Sequence, residues 1–397
     1  MTSLHGLKVV DLSRVLGGPF CTQLLADHGA TVIKIEPPQG DETRAWGPPF
    51  EGDMSSYFMG VNRNKLGMAL DLTQPRGRDV LLDLLADADV LVENFKPGTM
   101  EKWGLGFEQC LSEKFPRLIH CRVSGFGATG PLGAMPGYDA VVQAMSGLMS
   151  VNGERDAPPL RMGAPVIDIV TGMNAVIGIL LALHVREKSG RAQFVEATLY
   201  DSGISLMHPH LPNYYLSGRS AGRSGNAHPN ICPYDLFPTA TSPVFLAVGN
   251  DGQFAKFSEI VGAPLLAVDK RFQTNAQRLA HSGALREEIE RLLAHLDGSM
   301  LAENLMRAGV PCGAVANAAA VAEHPHTLHR EMIVKIADYV GTGSPVKLSS
   351  TGPQYRLAPP FFAQHAQQIL ESLGYDDQTI ADMFSTGVVP VALKGAA

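Results

Sequence analysis

Asp168 stands near the start of a long apolar run, PVIDIVTGMNAVIGILLALHV, and from Val166 to Leu183 it is the only ionisable side chain. A carboxylate in the first turn of a helix faces unpaired N–H groups and the positive end of the helix dipole, and apolar flanks keep water away from it. Two roles fit that setting. Asp is a preferred helix cap, and a shielded carboxylate held on a rigid element can also attack an activated carbonyl as a nucleophile. Residue type and position alone leave both open.

Other constellations lose support from their surroundings. GFGATG, from Gly125 to Gly130, matches GxGxxG after an expected strand, but Pro131, Gly133 and Pro136 follow where a phosphate-binding helix should begin. The turn RVLGGP has glycines at the wrong spacing for that fingerprint, although Glu36 closes the next strand where a ribose-binding acid could sit. In HPHTLH, Pro325 breaks the spacing that His324, His326 and His329 would need on one helix face, and no cysteine lies near. A solvated loop is expected there, with no metal site. No GxxxxGK[ST] loop occurs. Basic residues do gather at expected strand ends, at Arg14, Lys34, Arg63, Lys65, Lys96 and Lys102, where open α/β sheets bind ligands.

The elements that must position these groups follow from periodicity. Strand LKVVDLS, helix FCTQLLADHG and strand TVIKIEPP form a βαβ unit. A helix at RGRDVLLDLLADA, strand VLVEN, a helix over EKWGLGFEQCLSEKF and strand RLIHCRVSG continue the pattern, which predicts an open parallel sheet. A Gly/Pro-rich loop over 125–137 is followed by helices around 139–149 and 168–188, strand AQFVEATL and a helix from Asp201. The run after Asp168 approaches membrane-spanning length, but Asp168, Thr171 and Asn174 interrupt one end. A core helix buried on nearly every side is expected. Beyond LSGRSAGRSGNAHPN lies a smaller α+β pattern, then strands EMIVKIADY and SPVKLSST and a last helix AQHAQQILESLG. The expected division is a large α/β domain over 1–200, a linker over 201–227, a small α+β domain over 228–320, and a return to the large domain over 321–397.

At 397 residues, with 45% hydrophobic and 18% charged residues, the composition is that of a globular enzyme of two domains. A formal charge of −7 argues against nucleic acid as a partner, so a phosphate-bearing ligand would be met by a local cluster. The five cysteines are an odd number, far apart and without a CxxC pair, and MTSLHGLKVVDLSRV enters a strand pattern at once, so a cytoplasmic location is expected.

Taken in order, DLSRVLGGPFCTQLLADHGATVIKIEPPQGDETR, NRNKLGMALDL, DVLVENFKPGTMEKWGLG, Asp168 in PVIDIVTGMNAVIGILLAL, GNAHPN, GVPCGAV and FSTGVV resemble the class III CoA-transferases, including the formyl-CoA and carnitine CoA-transferase types, over almost the whole chain. The resemblance implies an interlocked homodimer. Each chain would have a large Rossmann-like open-sheet domain built from both termini and a small middle domain. It implies Asp168 as nucleophile, with Arg14, Lys65, Asn94, Phe95, Lys102 and Tyr138 lining a coenzyme A site and Gly225, Asn226 and His228 binding substrate. No tightly bound cofactor is implied, and coenzyme A and acyl-CoA enter as substrates beside a carboxylic acid. The formyl-CoA/oxalate members carry a glycine run where this chain has GNAHPN, which argues against oxalate and toward succinyl-CoA and longer dicarboxylates. Two rivals remain. α-Methylacyl-CoA racemases of the same fold place a His where Tyr138 stands, and a phenol of pKa near 10 is a poor proton carrier at neutral pH. A non-catalytic acyl-CoA-binding protein would need no carboxylate at residue 168.

Overall fold

The computed structural model describes residues 2–393 except 53 and 192. Six strands form one sheet: β1 (Lys8–Asp11), β2 (Thr31–Glu36), β3 (Lys65–Ala69), β4 (Val90–Glu93), β5 (Ile119–Ser124) and β6 (Phe194–Thr198). All five pairings are parallel, in the order β3-β2-β1-β4-β5-β6. This is the doubly wound order, and its direction reverses between β1 and β4, so a crevice is expected at the carboxyl ends of those two strands.

Alternation along the strands decides which helix covers which face. Val9, Val32, Val90 and Val92 belong to a core shared with helices α1 (Gly17–Asp27) and α2 (Val166–Ser189), through Cys21, Leu25, Ala175 and Ile179. Val10, Ile35, Met68 and Leu91 turn the other way, onto Val80, Leu81 and Leu84 of the helix Pro75–Leu85 and onto Ile369, Leu370, Ile380 and Met383 near the C-terminus. The C-terminal segment also covers the edge strand β3, where Gly67 N–H donates to His365 Nδ1 (3.0 Å) and His365 N–H to Gly67 O (2.8 Å).

The chain divides into two compact units. One comprises 1–148, 162–208 and 326–397, and the other 149–161 and 209–325. The second contains an antiparallel three-stranded sheet, Tyr234–Phe237, Val244–Ala247 and Cys312–Ala314, with a core of Phe237, Leu246, Phe254, Phe257, Ile289 and Leu305. The segment 149–161 belongs to it because Arg223 donates to the carbonyls of Glu154 (3.1 Å) and Ala157 (2.5 Å). The division therefore falls at 208–209, and the excursion at 149–161 has no counterpart in the sequence reading.

Several expected elements differ. β3 was not expected, since KLGMA has no β-branched residue and no alternation. The helix expected over 101–115 is interrupted after Thr99–Lys102, where Gly104 takes φ +74°. The helix around 139–149 stops at Met145, with Gly147 at φ +96°. SPVKLSST forms no strand, whereas HPHTLH forms the short helix Pro325–His329 rather than a loop, with proline at its first position. Helix α2 is buried on one face only: Ile177 (55% exposed) and Leu181 (62%) lie on the other. It is the one described helix long and apolar enough to cross a membrane.

Candidate active site

Asp168 is the third residue of α2, and its helix is capped from elsewhere. Asp139, buried at the start of the helix Asp139–Met145, accepts the N–H groups of Ile167 (2.8 Å) and Asp168 (3.2 Å) on Oδ2, while Gln143 Nε2 donates to its Oδ1 (2.5 Å). Capping is therefore done by Asp139. Among the described residues the Asp168 carboxylate accepts no hydrogen bond from the protein. Burial, and then the neighbouring Asp139 carboxylate, push its pKa up to about 7.

Two glycine contacts bring α1 against this carboxylate. A Cβ on Gly172 would lie 2.6 Å from Gly17 O, and one on Gly17 would lie 3.3 Å from Asp168 O and 3.5 Å from its Oδ1. Only glycine lets the two helices cross so closely that the start of α1 abuts Asp168. On the far side, Gly125 and Gly137 pass backbone to backbone, and a Cβ on Gly125 would meet Gly137 Cα and N at 2.9 Å. That contact folds the 125–137 loop back so that Tyr138 stands beside the same space.

The result is a cavity of about 350 Å³ walled by Arg14, Glu42, Asn94, Phe95, Tyr138 and Asp168, among others. A second cavity, about 210 Å³, lies across Phe95 between Pro37, Pro38, Leu72 and Trp103. Both occupy the carboxyl ends of the strands around the reversal of sheet order. Arg14 Nε is shielded from solvent and has no hydrogen-bond partner among the described residues. Tyr57 was missed by sequence reading; burial and the carboxylates of Asp168, Asp139 and Asp41 push its phenol up to about 12, which keeps it an O–H donor, and Trp46 packs edge-on against it at 5.2 Å.

The structure thus gathers Arg14, Asn94, Phe95, Lys96, Tyr138 and Asp168 around one cavity, and turns the buried cations of the basic cluster to other partners. Lys65 does not line it. Its ammonium is fully buried and donates to Asp11 Oδ2 (3.1 Å), Asn62 Oδ1 (2.9 Å) and Pro19 O (2.9 Å). Lys34 is equally buried on Asp41 (3.0 Å), and Arg63 on Asp27 (2.6 Å). Each of these cations sits where a carboxylate on a neighbouring element must be neutralised inside the fold. Lys102 is exposed on Thr99–Lys102 and is not among the walls of either cavity. Gly225, Asn226 and His228 belong to the second unit. Gly225, at φ +64°, donates to Gly153 O (3.0 Å), and His228 Nδ1 accepts from Asn230 N–H (3.0 Å). Asn226 and His228 wall a separate cavity of about 650 Å³ with Tyr234, Asp235 and Arg286. No group of three His, Cys, Asp or Glu side chains among the described residues is placed to hold a metal.

A sequence model of CoA-transferase family III matches residues 4–366. The chain belongs to this family. It is 40% identical to the acetyl-CoA:oxalate CoA-transferase of Acetobacter aceti over 87% of its own length and 88% of the relative's. It is 36% identical to the human succinyl-CoA:glutarate CoA-transferase over 97% and 90%. The crystal structure of a CAIB/BAIF family protein from Brucella suis superposes with a TM-score of 0.85 at 38% identity, covering 94% of this chain and 99% of that one. Family membership makes the protein a CoA-transferase, with an acyl-CoA and a carboxylate as its substrates.

Proposed function

We propose that the protein moves coenzyme A from succinyl-CoA to a dicarboxylate acceptor through covalent intermediates on Asp168. The observation that carries the assignment is the Asp168 carboxylate itself, shielded, unpaired, and open to a cavity at the reversal of the sheet. An unpaired carboxylate in that setting is poorly solvated and reactive once ionised. Its oxygen attacks the thioester carbonyl, an O–C bond forms, the C–S bond breaks, and CoA thiolate departs from an aspartyl-acyl anhydride. The thiolate then attacks the Asp168 carbonyl, expelling the donor acid and leaving an aspartyl-CoA thioester. The acceptor carboxylate attacks that thioester to form a second anhydride and free the thiolate again. Thiolate attack on the acceptor's carbonyl releases the new acyl-CoA and restores Asp168. No electrons are gained or lost, and one thioester replaces another.

In this reading the nucleotide end of coenzyme A lies along the carboxyl ends of the strands, in the slot beyond Phe95, and Arg14 with its free Nε meets an anionic group of the substrate. Tyr138 walls the mouth, Lys102 meets the phosphates, and Gly225, Asn226 and His228 act on the acceptor. The dicarboxylate assignment is supported by relatives named for glutarate and for oxalate. The second of these brings oxalate back among the acceptors to be tested. None of the cavity walls around Asp168 is a His, which leaves a racemase without its imidazole. The apolar face of α2 with Ile177, Leu181 and Val185 is the surface we assign to a second copy of the chain in a homodimer. A donor–acceptor matrix read by mass spectrometry tests the assignment. CoA should pass from succinyl-CoA to glutarate or a related diacid, and exchange among monocarboxylates alone would refute the substrate class.

A further inference from the structure

The turn joining β1 to α1 carries Arg14 and delivers Gly17 to Asp168, and at its centre Val15 has φ +71°. A β-branched residue is strongly disfavoured in the left-handed region, where its Cβ crowds the main chain. Such a conformation persists only where the surroundings over-determine it, and here they do so at three successive residues. Lys34 Nζ donates to Ser13 O (2.9 Å). Asn94 grips Arg14 from both sides: Arg14 N–H donates to Asn94 Oδ1 (2.9 Å), and Asn94 Nδ2 donates to Arg14 O (2.7 Å). Val15 N–H faces both Asp41 carboxylate oxygens (3.3 Å each), and Asp41 in turn is paired with Lys34 (3.0 Å). Asn94 therefore directs its amide to the main chain of residue 14.

We propose that Asn94, together with the buried Lys34–Asp41 pair, is a positioning clamp that holds the strained Ser13–Val15 turn so that Arg14 and the start of α1 stand against Asp168. Asn94 thus acts on the reaction through the turn, its side-chain amide engaged on both sides of residue 14. The inference rests on the CoA-transfer reading for its kinetic consequence, but the clamp itself can be read without activity.

The test uses Asn94→Ala and the double variant Val15→Gly/Asn94→Ala in the full-length chain. If the clamp opposes strain, Asn94→Ala should lower kcat by about tenfold or more while KM for succinyl-CoA moves less than about threefold. Glycine at 15 tolerates the left-handed conformation, so the double variant should recover about tenfold of the lost kcat. A raised KM with unchanged kcat would mean a direct ligand contact, and a double variant no better than Asn94→Ala would mean that strain is not what Asn94 opposes. Either result overturns the clamp. Amide hydrogen exchange of the peptide spanning 12–20 separates the two claims. Faster exchange there in Asn94→Ala, in a protein whose wild type transfers no CoA, would refute the functional reading and keep the clamp. Unchanged exchange in an active enzyme would refute the clamp alone.

Discussion

Replacing Asp168 by Asn should remove activity and make the protein more stable. The carboxylate accepts no hydrogen bond from the protein among the described residues, so the amide forfeits none, while its pKa stands at about 7 against 3.8 for an exposed Asp. An acid that holds its proton more tightly when folded leaves the native state with more bound protons between those two values. Stability therefore falls as pH rises through that window, and the full cost is present above pH 7. A difference of about three units corresponds to about 4 kcal/mol, an upper bound because the site can relax and admit water. Urea unfolding of wild type and Asp168→Asn at pH 5 and pH 8 measures it. The variant should be the more stable of the two, by a margin that widens between the two pH values. A margin that does not change with pH, or a wild type more stable at pH 8, would refute the claim that Asp168 is an electrostatically strained, unpaired acid.

The same charge arrangement fixes a pH profile: transfer should rise with pH through an apparent pKa near 7, and Asp139→Asn, which removes the neighbouring charge, should move that limb to lower pH. An unmoved limb would separate the kinetic pKa from Asp168. Gly125→Ala drives a methyl into Gly137 at 2.9 Å and should cost about 1–3 kcal/mol in thermal unfolding together with a loss of kcat; a neutral variant would show that the loop has room to yield. Lys65→Ala leaves Asp11 buried without its cation and should cost about 3–5 kcal/mol in urea unfolding, whereas Lys102→Ala should leave stability alone and raise KM for acyl-CoA. The reverse pattern would restore Lys65 as a ligand contact.

That the sheet is parallel was readable from repeated strand and helix patterns, because each βα unit carries its own apolar signature. The edge strand Lys65–Ala69 was not, since its place depends on the distant His365 and on the C-terminal helices. Asp168 could be singled out because a lone carboxylate in an apolar run is visible in one dimension. Its capping partner could not, as Asp139 lies 29 residues away and reveals its role only through the two N–H groups it accepts. The basic residues show the limit most clearly. Arg14 and Lys65 look alike in sequence, yet one keeps a free guanidinium nitrogen while the other neutralises Asp11 inside the fold. Charge type is written in the sequence, but its partner is set by packing.

The central claim, that Asp168 carries the acyl group and then coenzyme A, is tested most directly by mixing the purified protein with succinyl-CoA in the absence of any acceptor, quenching, and mapping the peptide that contains residue 168 by mass spectrometry. The wild type should carry a hydroxylamine-sensitive adduct on Asp168, and borohydride should trap it there. Asp168→Asn should show none while still binding coenzyme A. An unmodified Asp168 in an enzyme that turns over, or exchange of the substrate α-proton with deuterated solvent in place of an adduct, would contradict the account.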